Sequence, residues 1–423
     1  MRVVAPKTKP LAAAAVALIG LVAFWATLSN GGARSRPKAP PVVTLRRLTG
    51  SGGVASPDPG LDLERLAIPP FAIKHCTGLY AVDPSTRARR TLVSTPAYPD
   101  EEVSAADWSP RRREMAYALR RGGLASSMFL LRCAVPDTDG QLAPHEIITA
   151  GYGIDDEPQW SPDAKRIAFI KAPGDSGAAG AGSAFAPDLW VADTPTATDS
   201  PLEGSGSVSA VSARCVLPDV REAVWSPDGQ RLAFAASVSN LDDGILGVVD
   251  ADGGNREDVQ RGMRCSSPAW SPDGSTIAFV GYQNRVPRVF VVNADGSGAR
   301  QLTHAPHSDE VPAWSPDGRT IAFLAEARVS EGPGSRSAGA EEATHKVPME
   351  LWTMARDGSR QKRIAAGGDY RPPIWSPDGS RIAACVEPDA GSFALVAMRP
   401  DGSDVWELAT SETPMNLVWM NVP

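Results

Sequence analysis

The pentapeptide Trp-Ser-Pro-Asp-Gly starts at Trp225, Trp270, Trp314 and Trp375, and looser copies stand at Trp108 (WSPRR) and Trp160 (WSPDA). Each copy is followed shortly by an apolar run: MAYAL, RIAFI, RLAFA, TIAFV, TIAFL and RIAAC. Further along, Asp-Gly pairs recur at Asp139, Asp252, Asp295, Asp357 and Asp401. A self-similar unit of a few tens of residues cannot bury its apolar face alone, so the chain must stack its copies, in a row or around an axis.

The unit itself reads as β-structure. After Trp270, residues 277–280 and 289–293 are short, apolar and rich in β-branched side chains, and 301–303 follow the Asp-Gly turn. Runs of this length bounded by Pro, Asp, Gly and Ser are strands rather than helices. Ser-Pro-Asp-Gly is turn chemistry. Pro presets φ, Asp accepts hydrogen bonds from nearby backbone, and Gly supplies positive φ. The Trp before it is large enough to fill the gap between two packed sheets. Turn chemistry accounts for the repeated Asp without a ligand role. The unit is therefore one four-stranded antiparallel blade.

The WSPDG…IAF…DG pattern resembles the TolB-like β-propeller repeat, a relative of the WD repeat, over most of residues 68–423. The resemblance implies an all-β propeller and a family whose members bind partners or ligands, some propellers being enzymes. A fold shared this widely does not assign an activity. Counting Trp108, Trp160, Trp225, Trp270, Trp314 and Trp375, with Trp419 in NLVWM as a degenerate seventh, predicts seven blades, the alternative being six. The seventh unit has only its first strand at the C-terminus, while FAIK, GLYAV and RRTLV precede any repeat Trp. The two ends are expected to complete one blade, because closing the ring removes exposed sheet edges.

Residues 11–28, LAAAAVALIGLVAFWATL, are apolar and uncharged after a tail (1–10) bearing Arg2, Lys7 and Lys9. This length just spans a bilayer. No Cys follows for lipid attachment, and Trp25 suits an interface. An uncleaved signal anchor, an N-terminal transmembrane helix, is the expectation. Residues 29–67, rich in Gly, Pro, Ser and Arg, read as a flexible tether. Arg34, Arg36, Lys38, Arg46 and Arg47 on the far side of the anchor favour a cytoplasmic propeller by the positive-inside rule. The family resemblance implies the opposite, a single-pass protein of a bacterial cytoplasmic membrane with its propeller outside, and that orientation is adopted. The family's namesake also carries an α/β domain ahead of its propeller, for which the tether leaves no room.

A net charge of −7 excludes a nucleic-acid footprint. The cysteines, Cys76, Cys133, Cys215, Cys265 and Cys385, are odd in number and lack CxxC spacing. A Cys215–Cys265 disulfide and free thiols both remain open. No GxSxG, P-loop or dinucleotide fingerprint occurs, and GDSG at 174–177 lies in a Gly-rich insertion without triad context.

Function, on this reading, sits at one mouth of the channel. Ahead of the repeat Trp residues stand Asp155, Asp156 and Glu157, then Asp219 and Glu222, Asp309 and Glu310, and Asp369. These acidic groups from several blades suit a cation or a basic segment of a partner; ordinary loop polarity is the competing explanation. Insertions 171–188 and 325–349 open on the same face. His304 and His307, next to Asp309, are the close histidine pair, a donor set for a divalent metal. The expectation is a membrane-tethered, non-catalytic propeller that needs no cofactor and binds a protein, peptide or envelope ligand. The alternative is a metal-dependent polysaccharide lyase or hydrolase using His304 and His307.

Overall fold

A computed structural model describes residues 71–75, 78–82, 89–94, 101–111, 114–121, 125–132, 144–149, 153–173, 187–194, 213–237, 243–305, 308–327, 347–411 and 415–419. The expected anchor (11–28), the expected tether (29–67) and most of both insertions lie outside the described residues. Among the described residues no helix is long and apolar enough to cross a membrane.

The architecture is an all-β propeller. Every strand pairing is antiparallel, and the strands fall into consecutive sheets, numbered here in chain order. Sheet 2 comprises Glu101–Trp108, Glu114–Arg121, Ala125–Arg132 and Pro144–Thr149. Sheet 3 comprises Gly153–Trp160, Arg166–Pro173, Asp188–Asp193 and Ala213–Leu217. Sheet 4 follows with Val220–Trp225, Arg231–Ser237, Gly244–Asp250 and Glu257–Arg261. Sheet 5 has Cys265–Trp270, Thr276–Gln283, Val286–Asn293 and Arg300–Gln301; sheet 6 has Asp309–Trp314, Thr320–Glu326, Met349–Ala355 and Lys362–Ala365. Sheet 7 consists of Asp369–Tyr370, Ile374–Trp375, Ile382–Asp389, Ser392–Met398 and Trp406–Ser411. Its inner strand is split because Pro372 and Pro373 cannot donate to the ladder, so both halves pair separately with Ile382–Asp389. In sheet 1, Asn416–Trp419 pairs with Phe71–His75, followed by Gly78–Val82 and Arg89–Ser94.

Strand limits differ slightly from the sequence reading. The fourth strand of sheet 5 ends at Gln301 because Thr303 turns its hydroxyl onto the amide of Val289, at 3.0 Å, in place of a further ladder bond.

The core lies between adjacent sheets. The IAF-type runs place Phe169, Phe234, Phe279 and Phe323 fully buried on second strands, with Tyr117 at the same place in sheet 2. Burying one such ring contributes about 2–3 kcal/mol. In sheets 3, 5 and 6 the ring meets an aromatic on the third strand, Trp190, Phe290 or Trp352. In sheet 4 the third strand carries Gly247 instead, and a Cβ there would stand 2.3 Å from the Phe234 ring. The ring therefore occupies the space of the missing side chain.

The corners of sheets 3 to 7 repeat one hydrogen-bond scheme. Ser226 Oγ donates to Asp228 Oδ1 at 2.5 Å and accepts from the amide of Arg231, and Gly229 (φ 69°) donates its amide to the carbonyl of Ser226. Corners at Ser271, Ser315 and Ser376 do the same. In sheet 3 the Gly position is Ala164, held at φ 58°, where a Cβ is unfavourable.

Adjacent sheets are joined by the repeat Trp. The indole N–H of Trp225 donates to the carbonyl of Gln159, Trp270 to Val224, Trp314 to Ala269 and Trp375 to Ala313, at 3.0–3.2 Å. Each acceptor immediately precedes the Trp of the previous sheet. The expectation that Trp fills the gap between sheets thus acquires a polar component that the sequence did not reveal.

Candidate functional site

In sheets 2 to 7 the first strand runs from the end that carries the predicted acidic residues to its Ser-Pro corner. Near the mouth these strands are bulged. Glu157 (φ 53°), Ser267 (φ 51°) and Val311 (φ 50°) all lie three residues before their Trp, each at a break in register with the second strand. Positive φ is unfavourable for a β-branched residue such as Val311. The same departure in three repeats marks a designed bulge that re-aims the residues beside it.

The predicted acidic residues divide into distinct groups. Glu157 and Asp219 are exposed. Glu222 is half-buried and accepts a hydrogen bond from the amide of Ser267 on the next sheet. Burial pushes its carboxyl above the ordinary range, opposed by that amide and by Arg264 and Arg221. Glu310 is also half-buried and raised, by burial, by Glu326 and by Asp309, against the opposing effect of Arg264. Asp309 is buried and pairs with the buried Arg288 of sheet 5 at 3.7 Å. Asp369 accepts the amide of Met349 at 3.0 Å. Asp155 and Asp156 lie on the first strand of sheet 3, paired with Lys171 and Ile170 in register; their side chains are outside the described residues.

Two residues that sequence reading missed sit among these carboxylates. Arg264 stacks its guanidinium over the ring of Tyr282, 4.5 Å from the centroid. Glu222 on sheet 4 and Glu310 on sheet 6 therefore flank an arginine–tyrosine stack on sheet 5. Neither Arg264 nor Tyr282 belongs to the repeated pattern, and no spacing singled them out.

The alternative histidine site has less to build on. His304 is exposed, and His307 lies outside the described residues. Among the described residues no group of three or more His, Cys, Asp or Glu is arranged to hold a metal ion. Cys215, Cys265 and Cys385 are free thiols. This corrects the disulfide option: Cys215 is on the outer strand of sheet 3 and Cys265 on the inner strand of sheet 5, so a whole sheet separates them. Burial pushes the Cys265 thiol up to about 12.

Residues 218–334 match the family model described as PD40, TolB beta propeller domain. This stretch thus carries TolB-like β-propeller repeats, in keeping with the sequence resemblance at the level of the fold. Comparison with curated proteins gives no match. Among solved structures, an oligogalacturonate lyase in complex with manganese is 15% identical with a TM-score of 0.54, over 76% of this chain and 82% of that one. A puromycin-hydrolyzing peptidase from Mycobacterium tuberculosis is 12% identical with a TM-score of 0.52, over 84% of this chain but only 55% of the enzyme. TolB from Acinetobacter baumannii is 15% identical with a TM-score of 0.47, over 83% and 82%. These likenesses concern the fold alone.

Proposed function

We propose that this protein is a non-catalytic binding propeller whose acidic mouth captures a basic segment of a protein, a peptide or an envelope ligand. The observation that carries this reading is the arrangement of Glu222 and Glu310 around Arg264 and Tyr282. Two carboxyls partly withdrawn from water gain from a further cation that neutralises them, beyond the partial compensation Arg264 already gives both. The shared bulges at Glu157, Ser267 and Val311 re-aim the residues beside them at the strand end that carries the acidic groups.

The ring is proposed to have seven blades, closed where Asn416–Trp419 pairs with Phe71–His75. Residues 11–28 anchor it to a bacterial cytoplasmic membrane and 29–67 tether it, with the propeller on the outer side. A cysteine introduced in the 325–349 insertion of a cysteine-free variant tests this placement. Labelling by an impermeant maleimide in intact cells is expected, and labelling only after lysis would put the propeller inside.

For the binding reading, the charges to reverse are Glu157, Asp219 and Glu310. Asp309 and Asp369 are unsuitable, because each makes a bond within the fold. Conversion of those three to Lys is expected to weaken binding of a fluorescent oligolysine probe about tenfold or more, measured by anisotropy. An oligoglutamate probe is expected not to bind wild type. Equal oligolysine binding by wild type and a folded triple variant would remove the mouth as the site.

A further inference from the structure

Arg264 lies among carboxyls without bonding to any of them. Its carbonyl accepts the amide of Tyr282 at 3.0 Å, and its guanidinium folds over the Tyr282 ring, 4.5 Å from the centroid. There it partly compensates Glu222 on sheet 4 and Glu310 on sheet 6. Among the described residues, however, that guanidinium makes no hydrogen bond and no ion pair. Other arginines that cover a ring are also tied down. Arg166 over Trp225 donates to the carbonyl of Gly229, Arg356 over Trp314 pairs with Asp273, and Arg381 over Trp406 pairs with Asp404. Arg264 is held by its stack alone.

The groups around it are fixed. Glu222 accepts the amide of Ser267, which the bulge at φ 51° turns toward it. Tyr282 shares a hydrogen bond with the side chain of Ser266. Glu326, whose charge reaches Glu310, accepts the amide of Ser308 at 3.0 Å and its hydroxyl at 2.8 Å. Glu222, Glu310 and Glu326 therefore surround one loosely held cation, and the balance of charge among these side chains stays negative.

We infer that Arg264 is an internal stand-in for an arginine of the partner: it covers Tyr282 in the free protein and yields that place when a basic segment enters the mouth. This inference rests on the acidic mouth being the binding site. Like charges repel, and a guanidinium arriving at the covered ring face meets the one already there, so the two compete for one place. Because Arg264 is tethered, its effective concentration is high and a lone cation does not displace it. A segment with several cations does, since its other charges reach carboxyls that one arginine leaves uncompensated. Arginine is favoured over lysine because a planar guanidinium stacks on an aromatic face. The contact thus sets a threshold, admitting multiply charged, arginine-bearing segments and refusing single cations.

The test uses the full chain with fluorescent oligoarginine and oligolysine, followed by anisotropy. Arg264→Gln is expected to bind oligoarginine about fivefold or more tighter than wild type, with a smaller gain for oligolysine. Arg221→Gln removes an equal charge from beside Glu222, but Arg221 is exposed and covers no described ring. That variant is expected to change oligoarginine binding by no more than about twofold. Adding Tyr282→Leu to Arg264→Gln is expected to abolish the gain. Equal gains in the two single variants, or a gain that survives the loss of Tyr282, would overturn the inference, because removal of charge would then explain it. Proton–nitrogen NMR of the Arg264 Nε–H group in wild type needs no substitution. Oligoarginine is expected to shift that resonance from its position over the ring, and binding that leaves it unmoved refutes the stand-in while sparing the mouth. Failure of wild type and Arg264→Gln to bind either probe would remove the mouth as well.

Discussion

The two ends of each inner strand treat carboxylates in opposite ways. At the Ser-Pro corners Asp228, Asp273 and Asp317 each accept a serine hydroxyl and a backbone amide, and these bonds pull their carboxyls below the ordinary range. At the mouth, burial pushes Glu222 and Glu310 above it. The corners repeat one scheme from sheet 3 to sheet 7, whereas Glu222, Glu310, Asp309 and Asp369 have four different sets of partners. Where the chain repeats itself, its polar groups serve folding. Where the repeats diverge, Asp309 and Asp369 still serve the fold, whereas Glu222 and Glu310 are held partly buried at a cost.

Paired substitutions sharpen this contrast. Asp309→Ala leaves Arg288 buried beside a missing partner and is expected to cost about 3–5 kcal/mol in urea unfolding. Asp273→Ala at an exposed corner removes bonds that water can replace, and is expected to cost about 1 kcal/mol. Equal costs would erase the distinction between the two ends. The smallest effect belongs to the corner that departs from the rule. Ala164→Gly relieves a Cβ at φ 58° and is expected to stabilise by about 1 kcal/mol or less, read as a rise in the urea midpoint. A fall would show that the burial of that methyl outweighs the strain.

This division also explains what could be read from the sequence. The strands, the corners and the aromatic core follow from local chemistry that recurs, and repetition makes such chemistry legible: WSPDG specifies a turn wherever it occurs. The indole ladder escaped because its acceptor is a main-chain carbonyl, which leaves no residue signature. The mouth was legible only as an excess of acid. Which carboxylates serve the fold depends on partners distant in sequence, such as Arg288 for Asp309 and Met349 for Asp369. Arg264 and Tyr282 meet only because Cys265 and Gly281 are opposed in the register of sheet 5.

The indole bonds have a consequence for how such a molecule diversifies. Trp225, Trp270, Trp314 and Trp375 each grip the backbone of the residue before the previous Trp and ignore its side chain, so that position is anchored in space yet free in chemistry. Mutation can rewrite the wall of the channel one residue at a time, from alanine to glutamine, without renegotiating how the sheets are joined. A scaffold that separates what holds it together from what it displays can change partners through successive small substitutions while keeping the same fold.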